Sequence, residues 1–307
     1  MSKVSKGGCE KVMRVGIVGA GAIGMLLAGY LEKEHEIIVF PHRIEQRENI
    51  KNEGIYVYDS RLGERSINVK VARLDKDFPS LDCCFICVKQ SELQRILHTL
   101  HELPTDLPLI FIQNGMGHLD ALKVLRQPVY IGIVSHGAKR LNDVCVSHKG
   151  KGNILLASFK KDHGELHKLA DSLHQNEFPF EPVEDWRSIM REKMLVNSVI
   201  NPLTALFQVP NKEVIKNEHI LKLAKALCME AATVLELDAD AAWEKVVTIV
   251  KKTGDNTSSM LQDIQSGKET EIKAISGYLL YNTNESLPYT SFIYESIQAL
   301  ERKEKQI

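Results

Sequence analysis

Short β-branched runs alternate with helical patterns through the first half of the chain. The runs Arg14–Val18, Glu36–Phe40, Cys83–Val88, Leu109–Ile112 and Tyr130–Val134 each predict a strand. Between them, Ala22–Lys33, Ser91–Leu100 and Leu119–Leu125 read as amphipathic helices. Strand and helix in alternation predict a parallel α/β sheet covered by helices. Three further runs, Val144–His148, Asn153–Ala157 and Phe178–Val183, have hairpin-like separations and predict a mixed edge on that sheet. From Asp185 the texture changes, and Trp186–Phe207, Leu221–Leu235, Ala241–Lys251, Ser258–Gln265, Lys268–Tyr281 and Tyr289–Arg302 all carry helical periodicity. Pro202, inside the first of these, is expected to kink or interrupt it. The expected organisation is a flexible extension at 1–12, an α/β domain at 13–184 and an all-helical domain at 185–307. The segment Ile55–Val71 carries no recognisable motif.

Composition sharpens this picture in one respect. With 44% hydrophobic and 26% charged residues, the 307-residue chain can fill two cores, which excludes disordered and low-complexity architectures. Lys+Arg 39 against Asp+Glu 40 leaves a net charge of -1, so no nucleic acid or anionic membrane partner is expected. Val15–Leu31 is uncharged and follows Lys3, Lys6, Lys11 and Arg14, imitating a signal peptide or a membrane span. It nevertheless contains five glycines, shows no small-residue cleavage site and runs into a charged stretch at Glu32, so no membrane association is expected. Cys83, Cys84 and Cys87 crowd one apolar run, which fits a buried strand in a reducing compartment. Cys84-x-x-Cys87 lacks the second ligand pair of a zinc site, so a cytoplasmic, metal-free protein is expected.

The strongest chemical signal is Gly19-Ala20-Gly21-Ala22-Ile23-Gly24, between a strand and a helix. Glycines at that spacing allow a tight turn and close approach of a pyrophosphate, which the helix N-terminus then receives. Asp or Glu about 20 residues further on would bond a ribose 2′-OH; here the second strand ends in Pro41-His42-Arg43. Arg43 suits a 2′-phosphate, so NADP(H) is the expected cofactor. Two later strand ends fall on the side where ligands bind: Lys89 after Cys83–Val88, and Asn114, followed by Gly115 and Gly117, after Leu109–Ile112.

In the helical half Lys193, Asn197 and Asn201 recur every four residues between apolar neighbours, predicting a partly buried polar line. Desolvation would lower the lysine pKa and suit it to proton donation. A second line, Ser259, Asp263, Gly267 and Glu271, has the same spacing and shares a face if the helix is nearly continuous.

Together these motifs resemble the ketopantoate reductase family, from Met13 almost to the end of the chain. The resemblance rests on the glycine loop, Val88-Lys89, Gln113-Asn-Gly-Met-Gly117, Ser135-His-Gly-Ala138, Lys193 to Ala205 with its Asn-Pro-Leu-Thr-Ala, and Ser258-Ser-Met-Leu-Gln-Asp263 through Thr270-Glu-Ile272. It implies a Rossmann-type dinucleotide-binding domain, then a helical domain resembling that of 6-phosphogluconate dehydrogenase. The implied reaction is NADPH-dependent reduction of 2-dehydropantoate to (R)-pantoate. Carried over by position, Lys193 is the general acid, and Glu271 holds the substrate hydroxyl or the catalytic ammonium. Asn114 orients the carbonyl and contacts the cofactor, Asn197 and Asn201 bond the substrate, and Ser259 binds its carboxylate region. Cofactor contacts are implied for residues 19–24, Arg43, Lys89, Asn114, Ala138 and Glu271. The segment Asn284–Thr290 departs from the family's Pro-rich turn. The rival readings are a related NADP-dependent reductase of another 2-keto acid, a dehydrogenase of a phosphorylated substrate, for which Arg191 and Lys273 are available but fall in neither polar line, and a non-catalytic NADP sensor. The apolar face of Leu221–Leu235 could equally serve a core or a homodimer.

Overall fold

The computed structural model describes residues 12–59, 63–75, 78–160 and 164–303. The expected flexible extension, apart from Val12, lies outside the described residues. Two compact units emerge. The first takes the chain up to Gln113 together with Ala121–Trp186, and the second takes Asn114–Asp120 with the chain from Arg187 onward. A short piece of the expected α/β domain therefore belongs by its contacts to the helical unit.

The strands are β1 (Arg14–Val18), β2 (Glu36–Phe40), β3 (Ile55–Asp59), β4 (Gly63–Ile67), β5 (Lys70–Val71), β6 (Cys83–Ile86), β7 (Leu109–Phe111), β8 (Val129–Val134), β9 (Gly137–Arg140), β10 (Cys145–Gly150), β11 (Ile154–Lys160) and β12 (Phe180–Pro182). Eight form one sheet in the order β12-β11-β8-β7-β6-β1-β2-β5. From β5 to β8 every pairing is parallel, and the chain direction across the sheet reverses between β1 and β6. That is the doubly wound dinucleotide-binding order, with its ligand crevice above the carboxyl ends of β1 and β6. The antiparallel β8·β11 pair and the parallel β11·β12 pair supply the expected mixed edge.

One of the three runs assigned to that edge lies elsewhere. Residues Cys145–Gly150 join a separate four-stranded sheet, β4-β3-β10-β9, and the unreadable segment Ile55–Val71 supplies its hairpin β3–β4 as well as β5. The Ala22–Leu31 helix packs against β1 and β2 of the large sheet and against β3, β9 and β10 of the small one. It is consequently apolar all round rather than amphipathic, with every residue from Gly24 to Leu31 buried. At Gly29 a Cβ would lie 2.4 Å from a Val57 methyl, which shows how closely helix and small sheet approach. This double coverage explains why the sequence imitates a membrane span. Among the described residues no helix is long and apolar enough to cross a membrane.

In the second unit the helices Trp186–Phe207, Glu218–Leu235, Ala239–Lys252 and Pro288–Lys303 surround a core that includes Val199, Leu203, Leu227, Val246, Ile275 and Ile297. Asn217, Asp238 and Ser258 accept backbone N–H bonds and so cap the helices that follow them. Pro202 does not interrupt its helix, which runs on to Phe207.

Candidate functional site

In the first unit the glycine loop is built by steric exclusion. Gly19 adopts φ +100°, and its N–H donates to the Phe40 carbonyl at 3.1 Å, tying the loop to the end of β2. A Cβ on Gly24 would lie 2.0 Å from the Gly19 carbonyl oxygen, so only glycine lets the helix start this close to the loop. A Cβ on Gly21 would meet nothing within 4 Å, so this side of the loop is open. No side chain caps the helix beginning at Ala22, and its first-turn amides remain available to an anion. Two buried glutamines brace this end of the sheet: Gln46, which stands in no motif, and Gln113, which the Gln113–Gly117 motif contains without a role. Gln46 Nε2 donates to the Ala20 carbonyl at 2.8 Å and to the Asp143 carbonyl at 3.0 Å. Gln113 Nε2 donates to the carbonyls of Ile86 (2.8 Å) and Val88 (3.0 Å), while its buried Oε1 has no partner among the described residues. An open glycine cradle, a helix N-terminus and an orphaned acceptor at the same crevice fit a dinucleotide.

The other expected cofactor residues of this unit are spread around that loop. The Arg43 guanidinium hydrogen-bonds Asp143 and lies 3.8 Å from Glu45, and Arg140 reaches the same Asp143 oxygen at 3.5 Å. Lys89 stands at the N-cap of the Gln90–His101 helix, directly above β6. Ala138 sits within β9, opposite His148, and packs on the core of the first unit.

In the second unit Lys193, Asn197 and Asn201 occupy one face of the Trp186–Phe207 helix, and all three are partly buried. Burial pulls the Lys193 ammonium down to about 8, while the nearby Glu271 carboxylate pulls it back up. Asn114 Nδ2 donates to Glu271 Oε2 at 2.9 Å, so Asn114 and Glu271 meet although 157 positions separate them. Gly115 makes this approach feasible. Its φ is +79°, and a Cβ there would stand 2.4 Å from the Ala274 carbonyl oxygen. A π-helical turn, Lys273–Gly277, begins two residues after Glu271, a local irregularity that is frequent at functional sites. His118, in the same short segment as Asn114, is buried with neither ring nitrogen partnered among the described residues, and desolvation lowers its pKa to about 4.

The second polar line does not form as one helix face. The Ser259–Gln265 helix ends before Gly267, which takes φ +61°, and Lys268 N–H turns back to the Asp263 carbonyl at 2.9 Å. Glycine is both permissive at positive φ and weak within a helix, so it breaks the segment. Ser259 is exposed on the short helix, whereas Glu271 lies in the bend just before the next helical segment.

Comparison with known proteins agrees with these features. Residues 15–161 match the family model described as ketopantoate reductase PanE/ApbA, and residues 185–301 match its C-terminal model. The 2-dehydropantoate 2-reductase of Bacillus subtilis (strain 168) is 36% identical over 301 residues, covering 96% of this chain and 100% of that protein. A crystal structure of the probable 2-dehydropantoate 2-reductase from Bacillus subtilis superimposes with TM-score 0.83 at 35% identity, covering 94% of this chain and 99% of that one. D-mandelate dehydrogenase in a ternary structure with NADH and anilino(oxo)acetate shares the fold, with TM-score 0.87 at 23% identity over 95% of this chain and 100% of that one.

Proposed function

The chain belongs to the ketopantoate reductase family, and from that premise we propose that it reduces the ketone of 2-dehydropantoate with NADPH, Lys193 supplying the proton. The product is (R)-pantoate, which places the enzyme in pantothenate biosynthesis. The observation that carries this reading is a lysine with its pKa brought down to about 8, beside a carboxylate that an asparagine holds at 2.9 Å. When bound, NADPH supplies the hydride.

Reduction of a ketone builds negative charge on its oxygen, and a desolvated ammonium both stabilises that charge and protonates it. Glu271 keeps Lys193 protonated near neutral pH and accepts from Asn114, whose amide faces the substrate and the cofactor. Asn197 and Asn201 bond the substrate from the helix that carries the acid, and Ser259 receives its carboxylate end. Gly19 to Gly24, Lys89 and Ala138 hold the dinucleotide, with Arg43 on the 2′-phosphate. Arg43 must exchange Asp143 for that phosphate. Replacing Arg43 by Ala therefore raises the KM for NADPH about tenfold and leaves that for NADH nearly unchanged. An equal loss with both cofactors would remove Arg43 from this role.

A phosphorylated substrate fits less well. Arg191 is paired with Glu236 at 2.8 Å and Lys273 with Glu269 at 3.0 Å, so neither cation offers an uncommitted phosphate grip. We place the enzyme in the cytoplasm, a reducing compartment that suits the free thiols of Cys83, Cys84 and Cys87. A homodimer through the exposed Met229, Tyr289 and Phe292 is the assembly we propose, to be checked by sedimentation. The deciding assay follows loss of reduced nicotinamide absorbance with 2-dehydropantoate, beside other 2-keto acids and with NADH. Preference for 2-dehydropantoate and NADPH supports the reading. Binding of NADPH without turnover of any keto acid would make the protein a sensor instead.

A further inference from the structure

We propose that Glu301 is the positioning residue for Glu271, acting through Thr270; this rests on the role given to Glu271 above. Glu301 lies near the end of the Pro288–Lys303 helix, 30 positions beyond the carboxylate it would control. Its Oε1 accepts the Thr270 N–H at 2.7 Å and the Thr270 hydroxyl at 2.6 Å. Thr270 Oγ1 in turn accepts the Ile272 N–H at 3.1 Å. The backbone is thus fixed on both sides of Glu271. The Glu271 carbonyl is committed as well, accepting from the N–H groups of Ala274 and Ile275, each at 3.0 Å.

This arrangement does more than close a helix end. With the backbone locked, the π-helical turn presents the Ala274 carbonyl to Gly115, and Asn114 reaches Glu271 from there. Gly277 completes the seating, since a Cβ there would stand 3.1 Å from the Tyr294 ring of the helix that carries Glu301. Releasing Thr270 would free the Glu271 main chain to rotate, and a small displacement of a proton-site partner costs far more in turnover than in stability.

The molecule also provides a control. Glu230 makes the same kind of clamp on Thr290, accepting the Thr290 N–H and hydroxyl, each at 2.7 Å, but at the start of the Pro288–Lys303 helix. If such clamps serve stability alone, removing either has the same consequence.

The test compares Glu301→Ala, Glu301→Gln and Glu230→Ala in the full chain, reading melting temperature, kcat and KM. Glu301→Ala is expected to lower kcat at least tenfold with little change in KM. Glu301→Gln keeps a carbonyl oxygen at the accepting position and is expected to recover most of the turnover. Glu230→Ala is expected to lower the melting temperature with kcat intact. In a Glu271→Gln background, Glu301→Ala is expected to add almost nothing to the loss of kcat, because the two residues act as one unit. Equal kcat effects of the two clamps, failure of Gln to rescue, or additivity with Glu271→Gln would each overturn the proposal. If Glu301→Ala does not fold, Thr270→Val carries the same comparison. A Glu271→Gln variant with unchanged kcat would overturn the role of Glu271 itself, a result distinct from a Glu301 failure.

Discussion

Each unit buries a polar cluster, and the two clusters are tuned in opposite directions. In the first unit the Tyr30 hydroxyl sits between Asp59 Oδ2 (3.0 Å) and His148 Nδ1 (2.8 Å). His148 Nε2 continues to His136 Nδ1 at 3.1 Å, and the His136 ring stacks on Phe178 at 4.1 Å. Burial and Asp59 push the Tyr30 phenol well above its ordinary range, while burial lowers His148 and takes His136 to about 4. Every one of these shifts leaves the group in its neutral form at working pH. In the second unit burial moves Lys193 from 10.5 to about 8, toward neutrality. Buried polarity alone therefore does not mark chemistry; a pKa moved toward the working pH does.

Removing the acid should have the largest effect. Lys193→Ala is expected to lower kcat by about 10² to 10⁴ while leaving NADPH binding, read by nicotinamide fluorescence, nearly intact. Retained turnover would erase the contrast between the clusters. Gly115→Ala comes next. The added methyl meets the Ala274 carbonyl, and the left-handed backbone is strained as well, so kcat should fall at least tenfold together with about 1–3 kcal/mol of stability. A variant with normal turnover would show that the Asn114 approach is not needed.

The closed cluster should affect stability and nothing else. Tyr30→Phe is expected to cost about 1–2 kcal/mol, read from denaturant unfolding, with kcat unchanged. A loss of turnover larger than the loss of folded protein would give that cluster a part in the reaction. The smallest effect is its acid sensitivity. The folded pKa of His136, about 4, lies below the ordinary 6.5, so the unfolded chain takes up the proton first. The stability this provides is complete above about pH 6.5 and is lost as the pH falls toward 4. His118 contributes in the same sense. Melting temperatures measured across that window should fall less steeply in His136→Gln; an unchanged slope would mean that the ring is already charged in the native state.

Much of the fold was legible because β1, β6 and the glycine loop follow local rules of burial and backbone freedom. The sheet order adds what local rules do not carry. Val144–His148 reads as another edge run, and only long-range pairing with Ile55–Asp59 moves it into the small sheet. The Ala22–Leu31 helix misleads for the same reason, since its second buried face is made by strands whose own pattern is weak. At the candidate site, four-residue spacing put Lys193, Asn197 and Asn201 on one helix face, as the structure has them, but it failed beyond Gly267, where the helix breaks. Glu271 is instead placed by Thr270, Glu301 and the π-helical turn, partners that no spacing rule connects. Gln46 stood in no motif and Gln113 entered only as the neighbour of Asn114, because an amide bracing two carbonyls has no sequence signature.

The most direct test of the account is the pH dependence of kcat/KM for 2-dehydropantoate with NADPH, measured for the wild type and Glu271→Gln. Lys193 must carry its proton to act as the acid, so activity should fall as the pH rises through about 8. Glu271→Gln removes the charge that raises the Lys193 pKa, so the alkaline limb should move to lower pH. A wild-type profile flat to pH 10, or a limb that Glu271→Gln leaves in place, would contradict Lys193 as the proton donor.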